Sequence, residues 1–156
     1  MGIAKAFDKM EQDLLGVAKA GFENGFPNAA YAGACALVAV VHNNKLYVAN
    51  AGDSKAILLR QKCGNLEALK LSKTFNANKS YEQERLRSKF RGEKDIIRCR
   101  AKDKCYVKGG LQPTRSFGDF RLKYREFNFH EFSPEQDYRR PIPFFTGPYI
   151  SHEPDI

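Results

Sequence analysis

No stretch of this 156-residue chain approaches the roughly 18 consecutive apolar residues of a membrane-spanning helix, so no span and no membrane partner are expected. The N-terminus, Met1-Gly-Ile-Ala-Lys-Ala-Phe-Asp, carries charge early and lacks the apolar stretch of a secretory leader. Met1-Gly2 is a poor myristoylation signal, because Ala6, Phe7 and Asp8 surround the place where Ser or Thr is preferred. None of the four cysteines, Cys35, Cys63, Cys99 and Cys105, forms a Cys-x-x-Cys pair, and His42, His130 and His152 are scattered. That spacing argues against structural zinc. Cysteines without a secretory leader fit reduced thiols and a cytoplasmic location. There is no internal repeat and no low-complexity tract.

What is present is the composition of one globular domain, with 42% hydrophobic residues. A chain of this length should bury about 68–70% of its unfolded surface, enough for a true core. The net charge of +8 is uneven: residues 85–108 hold ten Lys/Arg against three acids. Such a run is either a solvated face or a surface that seeks phosphate, on a phosphoprotein or on nucleic acid. Nucleic-acid binding rests on charge alone and is not expected.

The order of elements is α+β. Ile3, Phe7, Met10, Leu14, Val17 and Ala18 recur at helical spacing, which predicts a helix over residues 3–20 that Gly21 ends. The continuous apolar run 34–41 reads as a strand buried on both faces. Asn43 and Asn44 tolerate left-handed backbone and mark a turn; strands over 46–50, 55–59 and 67–71 then complete an antiparallel meander. Ser80 is the expected N-cap of a helix reaching Phe90. A short strand pair is expected at 96–99 and 104–107, a turn at 113–119, an aromatic, proline-punctuated loop over 120–148 and a strand-like end at 149–151.

Four blocks, in order, resemble the PPM-type protein phosphatases, the metal-dependent Ser/Thr class also called type 2C. They are Gly33-Ala-Cys-Ala-Leu-Val, Leu46-Tyr-Val-Ala-Asn-Ala-Gly-Asp-Ser-Lys-Ala, Gly110-Leu-Gln-Pro-Thr-Arg-Ser-Phe-Gly-Asp and Tyr149-Ile-Ser-His-Glu-Pro-Asp-Ile. Glu82-Gln-Glu-Arg-Leu, between the second and third, is like a helix of the family. The aromatic segment before Pro148 is most similar to the pyruvate dehydrogenase phosphatase branch, which would place the protein in the mitochondrial matrix instead.

The resemblance implies a partial PPM fold over residues 1–156, with antiparallel β-sandwich sheets flanked by helices. It also implies hydrolysis of phosphoserine and phosphothreonine in a phosphorylated protein substrate, by water activated on Mg²⁺ or Mn²⁺. The family's main aspartate ligands lie in Asp-Gly-His-Gly, Asp-Gly and Asp-Asn blocks. This chain has no Asp-Gly and no Asp-Asn dipeptide, and no catalytic residue of the family falls within it. What carries over is Asp53, an accessory ligand of a third, weaker metal site, whose plainer role is to bind its own turn amides. Gly52 and Ser54 shape that turn. Arg115 and Asp119 match Arg-x-Phe-Gly-Asp and read as an ion pair or cap beneath the active-site floor, with Gly118 supplying an unusual backbone angle. Thr74 and Phe75 stand where the family usually has Asp and His. The chain alone is expected to be inactive and, with strands missing from its sandwich, to self-associate. A pseudophosphatase or non-catalytic phosphoprotein-binding module is the alternative.

Overall fold

A computed structural model describes residues 2–128 and 141–156. Helix α1 runs Gly2–Glu23, through Gly21, and buries Phe7, Glu11, Leu15 and Ala18. The stripe is therefore turned from the one expected. Met10, Leu14 and Val17 face outward, and a glutamate occupies the middle of the buried face. The chain does not stop at Gly21 because a close approach there needs a residue without Cβ: one would lie 2.9 Å from the Cβ of Ala29. A 3-10 turn over Pro27–Tyr31 follows.

Among the described residues the strands form four separate two-stranded ladders, not one meander. β1 (Gly33–Ala34) pairs antiparallel with β8 (Phe117–Gly118), joining segments far apart in sequence. β2 (Ala36–His42) pairs with β3 (Lys45–Ala51). The left-handed backbone of Asn43 and Asn44 turns this hairpin, the pattern whose twist matches that of the strands. β4 (Ile57–Lys62) and β5 (Asn65–Lys70) repeat the device through Cys63 and Gly64. β2 is not buried on both faces. Its residues from Leu37 onward are exposed, because no second layer among the described residues covers this hairpin.

Helix α2 spans Ser80–Lys89 and is capped by the backbone of Lys79, without a side-chain cap. Ser80 is thus its first turn and not its N-cap. β6 (Ile97–Cys99) and β7 (Cys105–Val107) form the expected short pair. Their last register position joins Cys99 and Cys105 in a disulfide, which overturns the expectation of reduced thiols. The physical reason is that the hairpin sets the two residues directly opposite each other, a proximity that spacing in the sequence does not display. Cys35 and Cys63 are free.

Residues 113–119 hold β8 as well as a turn, and 3-10 turns follow at Phe120–Leu122 and Arg125–Asn128. The rest of the expected aromatic loop includes 129–140, outside the described residues, as is His130. The C-terminal segment threads between elements: Arg115 bridges Ser151 in parallel, and Asn50 bridges Asp155. The main core gathers Leu86, Phe90, Ile96, Ile97, Val107, Leu122, Tyr149 and Ile150 around α2 and the β6–β7 pair. A second, of Leu15, Ala18, Ala30, Phe120 and Phe127, lies under α1, and Phe7 packs with Ala49 and Ala51 in a third.

Candidate functional site

The Gly52-Asp53-Ser54 turn leaves the end of β3 and is held from behind by Asn50. The Asn50 side-chain amide, buried, donates to the carbonyls of Gly52 and Ser54 at 3.1 Å and of Lys73 at 2.7 Å. Phe75 N–H donates to the Gly52 carbonyl at 3.0 Å, and Ala56 N–H to the Ser72 hydroxyl at 2.9 Å. Residues 72–76 therefore clamp the turn from one side. Cys35 closes the other: a Cβ on Gly52 would fall 2.4 Å from the Cβ of Cys35. Only glycine lets these two segments approach so closely.

Asp53 does not bind its own turn amides. Its Oδ2 accepts from Asn76 Nδ2 at 2.7 Å, and its Oδ1 accepts from the Cys35 thiol at 3.5 Å. Burial pushes the Cys35 thiol up from its ordinary value, and the charge of Asp53 adds to this, so the thiol stays protonated and donates. Among the described residues there is no group of three or more His, Cys, Asp or Glu able to hold a metal ion. One carboxylate already shared between an amide and a thiol does not make a Mg²⁺ or Mn²⁺ centre, which needs several hard oxygen ligands. The donors present thus do not fit the metal on their own.

Arg115 and Asp119 are not paired with each other, so of the ion pair or cap expected here the ion pair does not form. The Arg115 guanidinium lies 3.8 Å from the centre of the Phe75 ring and donates to the Glu153 carbonyl at 2.6 Å. Burial and the neighbouring Arg85 both push its pKa down. Phe75, buried in place of the family's polar residue, is thus the platform for Arg115.

Asp119 sits in left-handed backbone and accepts from the Ser116 hydroxyl at 2.6 Å. Its carboxylate lies where a Cβ of Gly33 would be, and burial raises its pKa. Gly118 does carry the unusual angle: its φ is +65°, and a Cβ there would lie 2.2 Å from the Ala32 carbonyl oxygen. Beneath this turn is a cluster that the sequence reading missed. Glu11 Oε2 accepts from Gly118 N–H at 3.0 Å, Glu11 Oε1 from Lys123 Nζ at 2.5 Å, and Lys123 also donates to the Ser116 carbonyl at 2.7 Å. A charged residue on the helix's apolar side was its one available signal. Asn50 and Asn76 were equally missed; they hold the turn by hydrogen bonds that only the fold reveals.

The basic run is partly consumed internally. Arg85 pairs with the buried Glu82, Arg98 with Asp95, and Lys108 with both Glu93 and Asp95. Arg100, Lys102 and Lys104 lie exposed along the β6–β7 hairpin.

Residues 2–156 match the family model described as protein phosphatase 2C. The chain belongs to the protein phosphatase 2C family. It is 35% identical over 154 residues to Probable protein phosphatase 2C 67 of Arabidopsis thaliana, covering 99% of this chain and 40% of that protein. It is also 35% identical over 156 residues to Probable protein phosphatase 2C 36 of Oryza sativa subsp. japonica, covering 99% and 39%. Probable protein phosphatase 2C 64 of Arabidopsis thaliana is 36% identical over 156 residues, with 99% and 38% covered. The chain spans about two fifths of the length of these curated protein phosphatase 2C relatives. They lend no support to the likeness to the pyruvate dehydrogenase phosphatase branch. The α+β arrangement of two helices and antiparallel ladders fits a portion of the protein phosphatase 2C fold. No helix among the described residues is long and apolar enough to cross a membrane.

Proposed function

We propose that this chain is part of a metal-dependent protein Ser/Thr phosphatase domain and that by itself it does not hydrolyse phosphate esters. The observation that carries the reading is the Asp53 turn. It is clamped by Asn50, Asn76 and Cys35 within a family match over residues 2–156, yet no metal-holding cluster surrounds it among the described residues. In a whole domain Asp53 would serve as an accessory ligand for Mg²⁺ or Mn²⁺, and the substrate would be a phosphorylated protein. A cytoplasmic location is the accompanying proposal, although the Cys99–Cys105 disulfide withdraws the reduced-thiol argument for it.

The test is hydrolysis of p-nitrophenyl phosphate by the purified chain with and without Mn²⁺. The expected result is no metal-dependent rate above buffer. Robust turnover that Asp53→Ala abolishes overturns the proposal. A non-catalytic phosphoprotein-binding module is the second reading, favoured by the exposed Arg100, Lys102 and Lys104. It requires saturable binding of a phosphopeptide that is lost when these three are replaced by Ala.

A further inference from the structure

The β6–β7 hairpin has only three register pairs, and the disulfide ties the last of them, Cys99 to Cys105, across a sequence separation of six. Its inner pair, Ile97 and Val107, is anchored in the main core beside α2, so the disulfide ties the outer end of the ladder, where Cys99 is exposed. The two residues differ in access: Cys99 is exposed and Cys105 is buried. Around them the sequence Arg98-Cys-Arg-Ala-Lys-Asp-Lys-Cys105 holds four cations and one acid; Arg98 pairs with Asp95, and Arg100, Lys102 and Lys104 are exposed, a setting that attracts anionic reagents.

The hairpin is also connected to the Asp53 turn by an unbroken series of hydrogen bonds. Cys105 N–H donates to Asn78 Oδ1 at 2.7 Å, Asn78 N–H donates to Asn76 Oδ1 at 2.9 Å, and Asn76 Nδ2 donates to Asp53 Oδ2 at 2.7 Å. Each asparagine spends its side chain on this path, so the position of the Cys105 backbone bears on the position of the Asp53 carboxylate.

We propose that Cys99–Cys105 is a thiol–disulfide exchange site for an anionic low-molecular-weight disulfide and its thiol, and that its redox state is passed to the Gly52-Asp53-Ser54 turn through Asn78 and Asn76. In the oxidising direction the Cys99 thiolate attacks one sulfur of the external disulfide, forming a mixed disulfide and releasing one thiolate. The Cys105 thiolate then attacks the Cys99 sulfur, closing the internal bond and releasing the second thiolate. The two protons lost by the cysteines end on the two small thiols. Reduction is the reverse, begun by an external thiolate at exposed Cys99. Without the tie the hairpin end frays, the Cys105 N–H leaves Asn78, and the series loosens at its far end. This inference is independent of the phosphatase reading.

The test uses the full chain carrying Cys63→Ser, to remove the other exposed thiol. After reduction, internal disulfide formation is followed by intact mass with glutathione disulfide, which is anionic, and with cystamine, which is cationic. Glutathione disulfide should react about tenfold faster or more at low salt, and the difference should collapse at high salt. Equal rates, or a faster reaction with cystamine, overturn the choice of partner. Amide hydrogen exchange at micromolar concentration then compares the two redox states. Faster exchange on reduction is expected at 72–79 and 50–56 as well as at 97–107. A change confined to 97–107 overturns the coupling. Asn78→Ala, with the disulfide intact, should reproduce the reduced pattern at 50–56; if it does not fold, the comparison of the two redox states decides alone.

Discussion

Glu11 and Lys123 lie 112 positions apart in sequence and are both almost wholly buried, with side chains 1% and 4% exposed. The lysine pairs with the glutamate, which also accepts from Gly118 N–H and has His152 Nδ1 3.8 Å away, and the lysine also donates to the Ser116 carbonyl. This is the lock between α1 and the β8 turn, and its failure mode is specific. Removing one partner strands the other charge in a low-dielectric site, whereas replacing both with apolar groups does not. Lys123→Met is expected to cost about 3–5 kcal/mol in urea unfolding of the chain. Glu11→Leu combined with Lys123→Met is expected to recover most of that loss. If the two single losses simply add in the double variant, the pair is not coupled as the geometry says.

At the scale of elements, α2 is held to the 113–119 segment through Glu82. The carboxylate accepts from Thr114 Oγ1 at 2.6 Å and from Arg85 Nη2 at 2.7 Å. Burial pushes the Glu82 carboxyl up, but its hydrogen bonds to Arg85 and Thr114 outweigh this and hold it below its ordinary value of 4.5. A depressed carboxyl stabilises the folded state above the unfolded value, and the contribution is lost as pH falls through the folded one. Glu82→Gln should therefore cost about 1–3 kcal/mol at pH 7. The difference from the parent should shrink as the pH is lowered through and below 4.5, measured by thermal unfolding across a pH series. A deficit that stays constant with pH would assign the loss to packing rather than to the charged carboxylate. The hairpins were legible in the sequence because Asn43-Asn44 and Cys63-Gly64 carry their own turn geometry. The β1–β8 pairing was not, because its two short segments have no pattern of their own and are brought together by Gly33, Gly118 and the packing of α1 on β8.

For the whole molecule, the decisive property is where apolar surface is left. Val41, Ile57, Leu59 and Leu66 are each at least 59% exposed on the two larger hairpins. Met10, Leu14 and Val17 lie on the outward side of α1, and Leu14 and Val17 line a cavity of about 430 Å³ together with Ala29, Ala34 and Phe117. Exposed apolar surface of this kind drives association. Sedimentation velocity across a concentration series is expected to show growing oligomers. A monodisperse monomer that melts cooperatively would mean that these faces close on themselves in solution.

The sequence alone determined what is local or carried by a contiguous motif. It gave away both helices, the hairpin turns, the Gly52-Asp53-Ser54 turn and the family, since each depends on residues adjacent in the chain. The tertiary structure decided what depends on distance in space. It turned the buried stripe of α1 onto Glu11, because a lysine over a hundred residues away could neutralise it. It seated Arg115 on Phe75 rather than on Asp119, because the ring, buried at the turn, offers a flat face that the carboxylate, engaged by Ser116, does not. It joined Cys99 to Cys105 because a hairpin register placed them opposite. And it bound Asp53 to Asn76 and Cys35, so that the carboxylate most suggestive of a metal in the sequence is, in this fold, already engaged by its neighbours.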